Sequence, residues 1–326
     1  EAVIAYLPIS LVMSVLTLAA MSDPLNIRII GTASLLAVGL PGVAICAVRQ
    51  SRFARRFHLT ALSEYFEETT QELTSAQKLH EALLPAPIQS DRLSLEFAYE
   101  PMRAIGGDFL YVLERRVGGV RTVSCVLVDV TGHGIPAALT VHRVHGELER
   151  VYGGRPDADP ATALSELNSY FHVALSKHSV FATALCLQIL IPDGSGPARL
   201  RYASAGHPPA IHLSPGRRPA PLDATCFLLG AVGPEDFDPA PQEVDLAVGD
   251  SVVAYTDGAF ECATPSGRML GLGGLRAIIE GNTLVRGAAD HILDAVRSAR
   301  GGAAPNDDTL ILVLHQGASP VPGSRS

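Results

Sequence analysis

Residues 2–21 are almost entirely apolar, and residues 29–48 repeat that pattern. A run of about 20 apolar residues is what a helix needs to cross a bilayer core. Ser22-Asp23-Pro24-Leu25-Asn26 lies between the two runs and has the composition of a turn. Residues 1–50 are therefore expected to form a transmembrane hairpin. Arg49, Arg52, Arg55 and Arg56 follow the second run at once, whereas the turn side carries only Arg28. The positive-inside rule then places everything beyond residue 50 in the cytoplasm, below a multi-pass cell-membrane anchor. The chain enters its first apolar run directly after Glu1 and reads as a piece of a longer protein.

From Ser51 to Leu84 there is neither Gly nor Pro. Positions 59, 62, 66, 69, 73, 76, 80 and 83 alternate spacings of 3 and 4, which is heptad timing. Residues 51–87 are read as a signalling helix, ended by Pro85 and Pro87. It either pairs with a second copy through residues 59–84, giving a homodimer, or packs alone on the next domain.

Beyond it, residues 88–316 change period. Strand-like runs fall at 93–100, 107–113, 121–129, 181–191, 197–205, 209–213, 242–247, 251–256 and 309–315, with helical patterns at 136–152, 160–176, 272–280 and 285–299. Asp159 is placed as an N-cap with Pro160 at the first helical position. Strands come in consecutive pairs, which predicts antiparallel sheets covered by helices rather than a doubly wound parallel sheet. The short polar stretch from Gly317 to Ser326 reads as a disordered tail.

Composition narrows the function. The chain is 47% hydrophobic with a mean hydropathy of +0.24, in keeping with a membrane segment. A formal charge of -8 and the lack of a basic patch interleaved with aromatics argue against nucleic acid as a partner. The five cysteines (Cys46, Cys125, Cys186, Cys226 and Cys262) are scattered, without the pairing of a zinc site or a disulfide framework.

Four acidic sites close apolar strands, most of them beside glycine: Asp108, Asp129, Asp257 and the pair Asp307-Asp308. A strand end fixes a carboxylate oxygen and a small neighbour leaves room for an ion, which suits a hard divalent cation. Each alone is also ordinary turn chemistry; four in one domain point to metal.

The stretches around them resemble the PPM superfamily of metal-dependent phosphatases, within it the SpoIIE-like branch. They are Ile105-Gly106-Gly107-Asp108-Phe109, the run from Val128-Asp129-Val130-Thr131-Gly132-His133-Gly134 to Ala138, Tyr202-Ala203-Ser204-Ala205-Gly206-His207-Pro208-Pro209, and Val248-Gly249-Asp250 leading to Tyr255-Thr256-Asp257-Gly258. Leu83-Leu84-Pro85 resembles the segment that precedes such domains.

The resemblance implies an α+β fold, an αββα sandwich of two antiparallel sheets flanked by helices. It also implies a protein serine/threonine phosphatase acting on a phosphoprotein, an anti-sigma-factor antagonist, with two divalent ions, Mn²⁺ or Mg²⁺. Asp129 would bridge the ions, helped by the Val130 carbonyl. Asp108 would serve one ion, and Asp257 with Asp307 or Asp308 the other. His133 is a candidate general acid or a loop-shaping and substrate-contacting residue, His207 a structural anchor, and Arg103 either a phosphate contact or a surface residue. Tyr111 stands where the family carries a second acid, and Asn306 stands where it carries the first of two acids. The alternative these departures leave is a weakly catalytic pseudophosphatase that binds a partner.

Overall fold

A computed structural model describes residues 11–12, 15–16, 24–193, 196–282 and 286–317. The chain divides into two compact units, Glu1–Glu72 and Leu73–Ser326. In the first, helix α1 (Pro24–Glu81) begins; its last nine residues belong to the second unit. Pro24 suits a first helical position, where its missing N–H is not needed. Residues 24–26 of the expected turn are helical, and the helix runs on from Pro24 past residue 50 into the expected signalling helix without a break. The first limb of the expected hairpin, 2–21, lies almost wholly outside the described residues, as do most side chains of 29–48. No helix among the described residues is long and apolar enough to cross a membrane. The tail beyond Gly317 is likewise outside them. Helix α1 stops at Glu81, four residues ahead of Pro85, and a turn closes it.

The second unit is a sandwich of two antiparallel sheets. One holds β1 (Ile88–Gln89), β2 (Leu93–Glu100), β7 (Ala210–Leu213), β8 (Ala220–Leu222), β10 (Ser251–Tyr255) and β11 (Thr309–Gln316), in the order β1-β2-β11-β10-β7-β8. The other holds β3 (Asp108–Val117), β4 (Val120–Val130), β5 (Ala182–Pro192), β6 (Ala198–Ala205) and β9 (Gln242–Leu246), in the order β3-β4-β5-β6-β9. Helices α2 (Ile135–Gly154) and α3 (Pro160–Ala174) cover the second sheet; α4 (Gly271–Gly281) and α5 (Ala288–Ala299) cover the first.

The alternation of side chains explains the layers. On β11, Leu310, Leu312 and Leu314 point between the sheets, while Ile311 and Val313 meet the α4–α5 layer. On β4, Cys125 and Leu127 face the sister sheet, while Val126, Val128 and Val130 pack under α2 and α3. Strands buried on both faces read as unbroken apolar runs, which is how they stood out in the sequence. The two strands it missed, β1 and β8, are two and three residues long and lie at sheet edges. Helix α3 starts as expected: the Asp159 side chain accepts from Thr162 N–H at 2.8 Å, with Pro160 next.

Register fixes the site. Asp108 opens β3 directly opposite Asp129 near the end of β4. In the other sheet β10 runs out at Tyr255, opposite Ile311, so Asp257 and Asp307-Asp308 fall at the matching end of β10 and β11.

Candidate metal centre

The loop carrying Asp108 is held by the opposite sheet. Asp308 is buried, and its Oδ1 accepts from Met102 N–H at 2.7 Å while Oδ2 accepts from Gly107 N–H at 2.6 Å. A side chain at Gly106 would run into the Tyr99 hydroxyl and that same carboxylate. A side chain at Gly258 would strike the Asp308 carbonyl, so here too the strand-to-turn approach admits only glycine. The Val130 carbonyl lies beside Gly107, 3.0 Å from where a Cβ would stand.

Within this frame the carboxylates repel one another. Burial, then Asp129, pushes the Asp108 carboxyl well above its usual range, with the Thr256 hydroxyl acting the other way at 2.6 Å. Asp129 is raised to about 7 by burial and then by Asp257, Asp307, Asp308 and Glu261. Asp257, opening a 3-10 turn Asp257–Ala259, is raised to about 6 by burial and then by Asp307 and Glu261. Asp307 is raised by burial and by Asp308, while the Asp308 N–H and the charge of His133 work against this.

The structure thus brings Asp108, Asp129, Asp257, Asp307 and Asp308 to one end of the sandwich. Among the described residues no three His, Cys, Asp or Glu side chains are drawn tightly enough together to ligate one ion. Asp308 accepts from two backbone N–H groups, one on each oxygen. The donor set is hard oxygen on rigid strand ends, and its carboxyls lie within one another's electrostatic reach. Both properties fit a divalent cation such as Mg²⁺ or Mn²⁺.

The other candidates separate. His133 is exposed in the turn between β4 and α2, close enough to Asp307 for its charge to be felt. His207 is buried, shares a 2.9 Å hydrogen bond between Nδ1 and the Thr183 hydroxyl, and is held neutral because burial lowers its pKa to about 3. It is an anchor. Arg103 and Asn306 are exposed. Tyr111 donates to Glu149 Oε1 at 3.0 Å and stacks on Tyr152 at 5.7 Å, fastening β3 to α2.

Sequence reasoning missed Thr256, Tyr99, Glu261 and His80. Glu261 follows Asp257 by one turn, its N–H donating to the Asp257 carbonyl at 2.8 Å, and that spacing was available in the sequence. Tyr99 and His80 carried no local signal. The His80 ring, buried in the last turn of α1, lies 5.8 Å from that of His142, and burial, then His142, lowers its pKa.

A family model described as stage II sporulation protein E (SpoIIE) matches residues 119–316, more than half of the chain. The chain belongs to the SpoIIE family. This SpoIIE-family chain is 26% identical over 196 residues to phosphoserine phosphatase RsbP of Bacillus subtilis (strain 168), covering 59% of the chain and 46% of that protein. It is 24% identical over 203 residues to phosphoserine phosphatase RsbU of the same organism, covering 62% and 57%. The chain spans about half the length of these curated relatives. Among solved structures, the SiaA-PP2C domain of Pseudomonas aeruginosa superposes with a TM-score of 0.62 at 21% identity, over 76% of this chain and 97% of that one. RsbX, solved in complex with magnesium, superposes at 0.51 and 14% identity, over 71% and 99%. Both likenesses show the fold, a PP2C-type domain of two antiparallel sheets with flanking helices.

Proposed function

We propose that this SpoIIE-family chain is a metal-dependent protein serine/threonine phosphatase that removes phosphate from a regulatory phosphoprotein, an anti-sigma-factor antagonist. The observation that carries it is the meeting of Asp108, Asp129, Asp257 and Asp307 at one end of the sandwich, raised in pKa by burial and by each other. The names of RsbP and RsbU, and the magnesium held by RsbX, support the same reading.

Two Mn²⁺ or Mg²⁺ ions, when bound, would supply water activation near neutral pH and neutralise charge on the phosphoryl oxygens. Asp129, opposite Asp108 and within the field of Asp257, would help to hold them, with the Val130 carbonyl beside it. Asp108, Asp257 and Asp307 would complete the set, while Asp308 holds the loop before Asp108 through Met102 and Gly107. His133, exposed in the turn between β4 and α2, would contact substrate or pass a proton to the leaving serine oxygen. Residues 29–48 and the arginines after them support a membrane anchor with the phosphatase on the cytoplasmic side. Phe66, a heptad position 60% exposed in the single chain, supports pairing of two copies through 59–84.

The test is hydrolysis of p-nitrophenyl phosphate and a phosphoserine peptide by the full chain, with and without Mn²⁺, for wild type and Asp129→Asn. Turnover that needs Mn²⁺ and falls to background in the variant is expected. Neither turnover nor Mn²⁺ binding in the wild type would point instead to a partner-binding pseudophosphatase.

A further inference from the structure

Thr256 directly follows β10 of one sheet, and Asp108 opens β3 in the other. The threonine is fully buried. Its hydroxyl receives the Leu310 N–H at 2.8 Å and lies 2.6 Å from Asp108 Oδ2, while its own N–H donates to the Leu310 carbonyl at 3.0 Å. A hydroxyl has one hydrogen to give, and a backbone N–H only donates. The hydrogen of Thr256 is therefore directed at Asp108. One oxygen of that carboxylate is thus fixed by a short hydrogen bond, and Oδ1 is the oxygen left without it.

We propose that Thr256 is a positioning residue for the metal centre: its hydroxyl, braced by Leu310 N–H, turns the Asp108 carboxylate so that Oδ1 is presented to the cation. The inference rests on the metal-centre reading above and adds a residue that the family motif carries only as a neighbour of Asp257. Serine keeps the relay; valine keeps the shape and removes it. Asp308 does the complementary task, holding the backbone before Asp108 through Met102 and Gly107. Both braces come from the sheet opposite Asp108.

The experiment is calorimetric titration of the full chain with Mn²⁺, paired with the unfolding temperature in chelator, for wild type, Thr256→Ser, Thr256→Val, Asp108→Asn, the Asp108→Asn/Thr256→Val double variant and Asp129→Asn. Loss of a partner that orients a metal ligand costs roughly 10- to 100-fold in affinity, and that drop is expected for Thr256→Val, with Thr256→Ser near wild type. In the Asp108→Asn background Thr256→Val should add nothing, since the threonine acts through that carboxylate. Wild-type affinity in Thr256→Val, or full additivity in the double variant, overturns the proposal. So does a result in which Thr256→Val fails to fold while Thr256→Ser is normal, because the hydroxyl then serves the fold alone. If Asp129→Asn binds Mn²⁺ as wild type does, the metal-centre reading itself falls; if only that variant loses binding, the reading stands and Thr256 is dismissed.

Discussion

Strand β10 has an aspartate just before it and another just beyond it, and the two live in opposite circumstances. Before it, Asp250 is buried, accepts from Ala247 N–H at 3.0 Å and meets His212 Nε2 at 3.0 Å. Beyond it, Asp257 faces Asp307 and Glu261, and Asp129 faces all three. One carboxylate has a histidine beside it; the others lie mainly in one another's field. A paired buried acid closes a turn, whereas a cluster of acids suits a cation. The glycines of Val248-Gly249-Asp250 and Asp257-Gly258 make the two motifs look alike in sequence, and only their partners tell them apart.

Three measurements press on this contrast. The largest effect is expected at the clustered end. Asp307→Asn should weaken Mn²⁺ binding by more than the roughly 10- to 100-fold that loss of a supporting partner costs, while Asn306→Ala leaves calorimetric affinity unchanged. Equal losses in both would remove the distinction drawn between a facing acid and an exposed amide. Next comes the paired end. Asp250→Ala should cost about 0.5–1.5 kcal/mol for each hydrogen bond lost, those of the Ala247 N–H and the part-buried His212 ring, in a denaturant melt. Its Mn²⁺ affinity should stay that of wild type; a matching drop would show the two ends are not separate. The smallest effect is a pH trend. Asp129 and Asp257 titrate at about 7 and about 6 in the folded chain against 3.8 as free groups, so the folded state binds more protons. Metal-free stability should therefore fall as pH rises from about 4 to about 7, and Mn²⁺ should restore it most at the upper end, where the carboxylates are ionised. A metal-free unfolding temperature that climbs over this range would refute the account of mutual repulsion.

The layers of the second unit were legible because each central strand is buried on both faces and each covering helix has its own period. The strand-end acids were legible for the same reason, since the run that precedes each one is unmistakable. What the sequence concealed are relations across the sandwich. Nothing local marks Asp308 as the clamp of Gly107 and Asp307 as the acid that faces outward; the two are adjacent and chemically identical. Nothing local marks Tyr111 as a core tyrosine that has replaced an acid by fastening β3 to Tyr152 and Glu149. Glu261 was available as a one-turn repeat of Asp257 and went unread because its strand had already ended. At the other end of the chain, residues 22–26 were read as a turn from their composition, yet proline at a helix start opened α1 instead.

The bonds that assemble the metal centre span very long stretches of chain. Asp308 reaches back 206 residues to Met102 and 201 to Gly107, and Thr256 reaches 148 to Asp108. Asp308 stands directly before strand β11, the last strand among the described residues, which lies between β2 and β10. Contacts so distant in sequence need long loops to be closed first. A nascent chain that has not reached Asp308 carries Asp108, Asp129 and Asp257 without the clamp on Met102 and Gly107.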